Sequence, residues 1–283
     1  MKKKLLIIGK SSYIGRHFGE WLRRWPDRYA CEWISVRDKN WSSQDFSQYD
    51  AVLHLAGITR SRSLFQSRKK FDAVNRDLAV QAALKAKNSG VQQFIFLSSM
   101  SVYGMKQGMI TQNTPIRPKS HYGRSKWEAE QRLWPLAGDG FTVSVLRAPM
   151  VYGKDCPGNF QILKKIAVKA PFFPSVENSR SMIYIDNLCE CLRLVWEERR
   201  SGLIFPQNKA YVSTRDMVSR IARENGHKIT FVPFFNGVIR WMTGRQSTVT
   251  KVFGALTYDM DLSRDSDRYA VQDYRASVKD SCP

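Results

Sequence analysis

The feature that most constrains the fold of this chain is a regular alternation of strand and helix patterns through its first half. Strand-like apolar runs occur at residues 4–9, 31–38, 50–57, 92–99 and 141–148. Helix-like segments at residues 14–25, 69–90 and 122–134 separate most of them. Such alternation is typical of a parallel sheet covered by crossover helices. We therefore predict an α/β fold of the Rossmann type, with a doubly wound parallel sheet.

Charge is the most unusual global property of the chain. Its 45 lysine and arginine residues outnumber 25 acidic residues and give a formal net charge of +20 at pH 7. This charge favours an anionic partner, which is a nucleic acid, an anionic membrane surface or a phosphorylated substrate. The basic residues are scattered and are not interleaved with aromatic residues as in an RNA-binding segment. We expect no nucleic-acid partner.

The sequence contains no apolar run near the roughly 18 residues that a membrane-spanning helix requires, and its apolar start is too short for a signal peptide. The five cysteines show no C-x-x-C spacing, and the four histidines lie far apart. We therefore predict a cytoplasmic protein with reduced cysteines and without a bound metal.

A glycine-rich loop follows the first strand directly. In IIGKSSYIG, Gly9 suits a tight turn and Gly15 suits close packing of helix on strand. Ser12 occupies the middle position, where such loops often carry glycine, and its hydroxyl adds a donor. The N–H groups and dipole of a helix that begins here would face a pyrophosphate. The residues predicted to cradle a dinucleotide are Gly9, Ser12, Tyr13, Ile14 and Gly15.

The end of the second strand-like run bears on which dinucleotide binds. An acid there binds the adenosine ribose, whereas an arginine accepts a 2′-phosphate. The run ends with Val36, Arg37 and Asp38. Arg37 favours NADP and Asp38 favours NAD, so both cofactors stay open.

Polar side chains after the fourth strand-like run predict catalysis. Tyr122 and Lys126 are four residues apart and share one helix face, next to the strand that carries Ser99. Oxidation of a carbinol carbon requires its oxygen to lose a proton, and a tyrosine with a pKa of about 10 is a poor base. We expect Lys126 to lower the pKa of Tyr122, and Ser99 to orient the substrate oxygen.

Seven segments in a fixed order extend this interpretation: GKSSYIG, DAVLHLAG, VNRD, SSMSVYG, YGRSK, LRAPMVYG and RSMIYIDN. With them, roughly residues 4–190 resemble the extended short-chain dehydrogenase/reductases of the nucleotide-sugar epimerase/dehydratase family, of the UDP-galactose (UDP-glucose) 4-epimerase type. The resemblance implies a bound NAD or NADP, a UDP-sugar substrate and a homodimer.

The resemblance also assigns roles to single residues. Tyr122 is then the acid/base, and Lys126 is its partner and a cofactor contact. The other implied cofactor contacts are Asp45 and Phe46 at the adenine, Ala56 and Gly57 beneath the cofactor, and Asn75. The implied substrate contacts are Ser99, Ser101, Asn159, Phe160 and Arg180. A second phosphate-binding arginine has no clear match, and the candidates are Arg245 and Lys251.

Beyond residue 150 the pattern loosens, because Pro157, Pro171 and Pro174 interrupt it. We predict a dinucleotide-binding domain at 1–155 together with about 181–206. A smaller mixed lobe that binds the substrate is predicted at about 156–180 and 207–283.

Several functions are compatible with these residues. Dehydration needs an acidic pair after Ser99, where the chain has Met100 and Ser101, so it is not predicted. We favour C4 epimerisation of a UDP-hexose or UDP-N-acetylhexosamine for surface polysaccharide synthesis. A reductase of nucleotide 4-keto sugars that uses NADPH is the first alternative, and Arg37 favours it. A non-catalytic dinucleotide-sensing or nucleic-acid-binding module is a distant one.

The segment FFNGVIRWMTGR at 234–245 combines aromatic and basic residues. This composition is compatible with peripheral binding to an anionic membrane, although a buried helix is the simpler interpretation.

Overall fold

The computed structural model describes residues 2–37, 39–59, 67–234, 236–243 and 247–282. The chain divides into two compact units. The first comprises Met1–Gly104, Ile116–Ala148 and Cys189–Phe205, and the second comprises Met105–Pro115, Pro149–Leu188 and Pro206–Pro283.

The strands, in chain order, are β1 (Lys3–Ile8), β2 (Tyr29–Ile34), β3 (Ala51–His54), β4 (Gln93–Ser99), β5 (Gly108–Ile110), β6 (Thr142–Ala148), β7 (Met150–Tyr152), β8 (Phe172–Pro174), β9 (Met182–Tyr184), β10 (Gly202–Ile204), β11 (Thr230–Val232) and β12 (Leu256–Tyr258). The α-helices are α1 (Tyr13–Leu22), α2 (Arg68–Phe71), α3 (Leu78–Asn88), α4 (His121–Leu133), α5 (Asn159–Lys169), α6 (Ile185–Glu197), α7 (Thr214–Glu224), α8 (Asn236–Met242), α9 (Ser247–Phe253), α10 (Ser266–Tyr269) and α11 (Tyr274–Asp280).

Six strands of the first unit form one parallel sheet in the order β10-β6-β4-β3-β1-β2. The residues from Leu5 to Ile8 have no exposed surface, because a parallel strand covered on both faces needs apolar side chains at every position. From β1, the chain adds β2 on one side of the sheet and β3 on the other side. Open α/β sheets bind ligands at the carboxyl ends of the strands beside such a reversal. The predicted Rossmann-type fold is confirmed.

Two predicted elements of this unit differ in detail. β2 ends at Ile34, before Arg37, because its neighbour β1 ends at Ile8 and offers no further strand to pair with. The helix expected at 69–90 is divided into α2, a π-helical turn at Asp72–Asp77, and α3. A π turn widens the helix by one residue, and such turns are frequent at functional sites.

The second unit contains three two-stranded parallel pairs, β5 with β12, β7 with β9, and β8 with β11. Residues 105–115, 149–155 and 181–188 belong to this unit, although we predicted them in the dinucleotide-binding domain. Within this unit β5 pairs with β12, and β7 pairs with β9. Its core includes the Tyr152 hydroxyl, which accepts a hydrogen bond from Asn208 at 2.9 Å and is 2.7 Å from the Ser277 hydroxyl.

The aromatic segment around α8 is not a buried helix. Phe234, just before it, is 85% exposed and Trp241 within it is 63% exposed. None of the helices in the described part of the chain has the length and apolar character needed to cross a membrane.

Candidate active site

The loop between β1 and α1 has a shape that requires glycine. Gly9 has a φ of +124°, and a Cβ on it would lie 3.0 Å from the amide nitrogen of Ala56. A Cβ on Gly15 would lie 3.1 Å from side-chain atoms of Ile7 and Leu55. The loop therefore packs its backbone directly against the ends of β1 and β3.

Ser12 caps the first turn of α1. Its Oγ accepts a hydrogen bond from the Gly15 amide at 3.2 Å, and its own amide donates to the Gly9 carbonyl at 2.8 Å. The first turn of a helix leaves N–H groups without partners inside the helix, and these groups are the ones suited to a pyrophosphate. Serine in the middle position thus helps to build the helix N-terminus. Tyr13 is buried and Ile14 is half-buried.

The residues predicted at the adenosine end follow β2. Arg37 is exposed, and Asp38 lies outside the described residues. Asp45 is exposed and accepts hydrogen bonds from the amide and hydroxyl of Ser47 at 2.8 and 2.9 Å, which lower the pKa of its carboxyl. Phe46 is fully buried in the core, so a contact with an adenine would use its backbone.

The predicted residues beneath the cofactor meet just after β3. Ala56 is buried, and a Cβ on Gly57 would lie 3.0 Å from Oδ1 of Asn75 and 3.8 Å from Nζ of Lys126. Oδ1 of Asn75 accepts a hydrogen bond from the Ile58 amide at 2.8 Å, and its Nδ2 donates to the Ile58 carbonyl at 3.1 Å. Asn75 belongs to the π-helical turn. Its side chain bonds to both backbone groups of Ile58, and so fixes the chain after β3 in the way a neighbouring strand would.

Ser99 and Tyr122 come together at the carboxyl end of β4. Ser99 is the last residue of β4, and Tyr122 lies in the first turn of α4, whose cap is Ser120. The side chains of Ser99 and Tyr122 are hydrogen-bonded. The Ser101 amide donates to Ser99 Oγ at 3.2 Å, and the two serine hydroxyls are also 3.2 Å apart. The hydroxyl groups of Ser99, Ser101 and Tyr122, all predicted site residues, therefore lie close together.

The acidity of Tyr122 differs from the sequence-based expectation. Burial raises the pKa of its phenol, and the hydrogen bond with Ser99 offsets only part of that rise. Lys126 was expected to lower this pKa, but its ammonium group donates to the Leu97 carbonyl at 2.7 Å and lies 4.4 Å from the centroid of the Phe96 ring. In the protein alone the phenol is protonated at neutral pH, and its use as a base requires additional positive charge nearby.

Lys126 is a buried cation that is only 5% exposed. Burial lowers the pKa of its ammonium group to about 8, and the negative charge of Glu130 offsets part of that effect. On β3, His54 lies beside the rings of Phe94 and Phe96, and its pKa is lowered to about 3 by burial and by the charge of Lys126. The site therefore pairs a lysine that titrates near neutral pH with a histidine that stays neutral.

Sequence reasoning does not single out Gly123, which the geometry requires. A Cβ on Gly123 would overlap the carbonyl oxygen of Ser101, so glycine directly after Tyr122 lets the start of α4 approach the end of β4. The pair Glu130 and Arg147, a buried salt bridge behind the site, is also missed. The available signal is an arginine inside the otherwise apolar run FTVSVLRA.

In the second unit, Asn159 and Phe160 begin α5. Asn159 is half-buried and follows Gly158, whose φ of +96° ends the preceding turn. The Phe160 side chain is buried against Tyr152, with 5.8 Å between ring centroids. Phe160 therefore contributes to the core of this unit, and Asn159 is the one of the two with an accessible side chain.

Arg180, also in the second unit, carries a positive charge that no acidic residue in the described ranges neutralises. Its Nη1 donates to the carbonyl oxygens of Gly254 at 2.7 Å and Thr250 at 3.4 Å. Its Nε is buried and has no hydrogen-bond partner among the described residues, and burial lowers the pKa of the guanidinium. Since an unpaired buried donor is costly, this group is suited to an anion. Lys251 belongs to α9, and Arg245 lies outside the described residues.

These features define a protein of the short-chain dehydrogenase/reductase class. Residues 5–208 match the sequence model of the NAD dependent epimerase/dehydratase family, and the chain belongs to this family. The predicted family is confirmed, and with it an enzyme class of NAD(P)-dependent nucleotide-sugar epimerases and related oxidoreductases.

One curated relative is the N-acetyl-alpha-D-glucosaminyl-diphospho-ditrans,octacis-undecaprenol 4-epimerase of Escherichia coli O157:H7. It is 26% identical over 221 residues, which are 68% of this chain and 63% of the relative. The chain spans 44%, 63% and 48% of the lengths of three curated relatives that it matches.

Two solved structures show the same fold. UDP-glucuronic acid 4-epimerase from Bacillus cereus in complex with NAD has a TM-score of 0.74 at 19% identity, with 98% of this chain and 95% of that chain covered. A dTDP-4-dehydrorhamnose reductase from Bacillus anthracis str. Ames in complex with NADP has a TM-score of 0.68 at 18% identity, with 84% and 86% covered. Structural relatives therefore bind NAD or NADP.

Proposed function

We propose that the protein epimerises C4 of a UDP-hexose or UDP-N-acetylhexosamine through a transient 4-keto sugar, in surface polysaccharide synthesis. The observation that carries the proposal is the grouping of Ser99, Tyr122 and Lys126 beside Gly57 and Asn75. The group supplies a phenol that can hold a proton, a hydroxyl that can orient a sugar oxygen, and a nearby cation.

The loop and the end of β3 fit a dinucleotide. At Gly9 a Cβ would crowd Ala56, and at Gly57 it would crowd Asn75, so glycine at both positions lets the loop and the end of β3 pack closely, as in dinucleotide-binding folds. The first turn of α1 would hold the pyrophosphate, and Ala56, Gly57, Asn75 and Lys126 would hold the nicotinamide half. A dinucleotide held there would supply reversible hydride transfer at C4 of the sugar.

The chain's own residues handle the proton and the orientation. Ser99 donates a hydrogen bond to the C4 oxygen and holds it near the Tyr122 phenol. As C4 is oxidised, the hydroxyl proton passes to the Tyr122 oxygen, and it returns to the C4 oxygen when the ketone is reduced. Lys126 and the positive charge of an oxidised nicotinamide favour the phenolate that begins this cycle, against the effect of burial.

The diphosphate of the substrate has a suitable partner in the second unit. Arg180 has a buried, unpaired Nε and no neutralising acid among the described residues, and charge-assisted bonds from arginine to phosphate are strong. Asn159 is the other residue proposed to contact the UDP portion, and a homodimer remains the proposed oligomeric state.

Reduction of a nucleotide 4-keto sugar by NADPH is the second candidate. Arg37 favours it, because this residue is exposed just beyond β2, where a guanidinium can meet a 2′-phosphate. The catalytic residues would be the same, since reduction is one half of the epimerase cycle.

We also propose that the protein binds anionic membranes peripherally. The exposed aromatic residues Phe234 and Trp241 lie in a stretch, 225–258, that contains no acidic residue. The basic residues of this stretch are Lys228, Arg240, Arg245 and Lys251. The E. coli relative is named for a sugar linked to a polyprenyl lipid, and such a substrate would place the enzyme at a membrane surface. Sedimentation with phosphatidylglycerol vesicles should fall for Phe234→Ser/Trp241→Ser and stay unchanged for Leu84→Ser, an exposed apolar residue of the first unit.

The first experiment is to identify the dinucleotide that purifies with the protein, by mass spectrometry after gentle denaturation, and then to assay UDP-glucose and its N-acetyl analogue by NMR. Bound NAD with turnover supports the epimerase, and Tyr122→Phe should then lower kcat by about 10²–10⁴-fold. A protein that binds NADPH, reduces a 4-keto sugar and leaves UDP-hexoses unchanged would overturn epimerisation in favour of the reductase.

A further inference from the structure

Helix α4 contacts β4 at three consecutive strand positions. Tyr122 bonds to Ser99, the Lys126 ammonium group donates to the Leu97 carbonyl at 2.7 Å, and the Ser98 hydroxyl donates to the Glu130 carboxylate. The helix residues 122, 126 and 130 are successive turns of one face. Glu130 is therefore the third member of a series whose first two members are the proposed acid/base and its cation.

Glu130 is held from behind by Arg147 of β6. Arg147 lies opposite Ser98 in the register of β4 and β6. Its Nη2 is 2.6 Å from Glu130 Oε2, and its Nε donates to both carboxylate oxygens at 3.2 and 3.1 Å. Its Nη1 donates to the Tyr103 hydroxyl at 2.8 Å. Glu130 is 0% and Arg147 2% exposed, so the pair is sealed from water.

A sealed ion pair is not the simplest way to fill this space. Apolar residues of similar volume often give equal or greater stability, because two charges must be removed from water to make the pair. Packing alone therefore does not explain a carboxylate at position 130. Its distinctive property is a fixed negative charge one helical turn from Lys126.

Among the described residues, Glu130 is the acid whose charge acts on Lys126. The other groups that face Lys126 are neutral His54 from β3, Ser98 and Ser99 from β4, Tyr122 from its own helix, Asn75 from the π turn, and Arg147 from β6, which is bonded to Glu130. The acids of the π turn, Asp72 and Asp77, pair with Arg76 at 3.6 and 2.7 Å.

We propose that Glu130 is a positioning residue of the catalytic site, which fixes α4 against β4 and keeps Lys126 protonated, with Arg147 as its anchor. The effect on catalysis rests on the proposed function, but the effect on Lys126 does not. Burial opposes the ammonium charge, and the carboxylate of Glu130 counteracts it.

The test measures Lys126 directly. The pKa of its ammonium group is obtained by NMR titration of the ε-carbon in ¹³C-lysine-labelled protein, with Lys126→Arg to assign the signal. The main variant is Glu130→Met/Arg147→Met, which removes both charges and keeps the site apolar. Glu130→Gln is the second variant, because it preserves the shape of the side chain and removes only the negative charge. Glu190→Gln is the matched control, since Glu190 forms a similar pair with Arg193 at 2.6 Å on α6.

We expect the largest fall of the Lys126 pKa in Glu130→Gln, about one unit or a tenfold change in the protonation equilibrium, because the Arg147 charge is then uncompensated. The fall should be smaller in Glu130→Met/Arg147→Met, and the pKa should stay unchanged in the control. With UDP-glucose turnover as a second readout, the alkaline decline of kcat should move to lower pH while KM stays the same. An unchanged Lys126 pKa in a folded Glu130 variant would overturn the proposal. Because the NMR titration needs no turnover, this failure is distinct from failure of the proposed function.

Discussion

Two arginines, one in each unit, have different partners, and their pKa values are shifted in opposite directions. Arg147 in the first unit meets the carboxylate of Glu130, which raises the pKa of its guanidinium although burial opposes the charge. Among the described residues, Arg180 in the second unit donates to carbonyl oxygens and forms no salt bridge, and burial lowers its pKa. A cation whose donors are satisfied holds the fold together. Arg180 Nε has no hydrogen-bond partner among the described residues, and we propose that this donor binds an anionic ligand.

The largest expected difference between the two arginines is in the free energy of unfolding after each is replaced. Arg147→Met leaves Glu130 as a buried, unpaired carboxylate and should cost about 3–5 kcal/mol. Arg180→Met should change stability by less than about 1 kcal/mol, because no acid is left unpaired among the described residues. Denaturant titration of both variants provides the measurement. Equal losses would mean that Arg180 is as structural as Arg147.

For UDP binding, we expect the larger effect at Arg180 and not at Arg147. Arg180→Met should weaken UDP binding by about 30–160-fold, since a charge-assisted contact to phosphate is worth about 2–3 kcal/mol. Glu130→Met/Arg147→Met serves as the control and should bind UDP as the unmodified protein does. Isothermal titration with UDP tests both, and unchanged affinity in Arg180→Met would remove this residue from the proposed substrate site.

Lys126 is a third cation removed from solvent, and its contribution to the free energy of unfolding depends on pH. Its folded pKa of about 8 lies below the ordinary value of a lysine, so the unfolded chain binds the proton more tightly. Stability should therefore rise with pH from about 8 towards 10.5, and Lys126→Met should be more stable than the unmodified protein by about 1–3 kcal/mol at pH 7. Thermal unfolding at pH 7 and pH 9.5 checks this. A variant advantage that does not shrink at the higher pH contradicts it.

The smallest effect is expected at Ser12. Ser12→Ala removes the cap of α1 and should cost about 1 kcal/mol, whereas Ser12→Gly should cost only a few tenths. If the serine also contacts the pyrophosphate, both variants should weaken dinucleotide binding by a similar factor. Chemical denaturation and NAD titration separate the two roles.

The sequence was sufficient for elements defined by local patterns. The buried run at β1, the glycine loop and the helix from Tyr122 all follow from periodicity and turn chemistry, and the structure has a strand, a loop and a helix there. The seven ordered segments were enough to identify the family. The tight turn at Gly9 was likewise predicted, and its φ of +124° agrees with it.

Other properties depend on partners distant in sequence. The end of β2 at Ile34 depends on where β1 stops, and the pKa of Tyr122 depends on how deeply α4 is buried. The pairing of Glu130 with Arg147 becomes visible only when β6 lies beside β4. The one local signal among these contacts is an arginine inside the apolar run FTVSVLRA, and it does not identify its partner.

Because β2 ends at Ile34, strand pairing and the proposed selection of the cofactor at Arg37 depend on different residues. Arg37 lies on an exposed turn after the last paired residue of the sheet, so a change of side chain there leaves the strand pairing and the core intact. The proposed choice between phosphorylated and unphosphorylated cofactor would therefore depend on a surface residue. Lys126, the proposed partner of Tyr122, is by contrast buried, and a substitution there also changes the core.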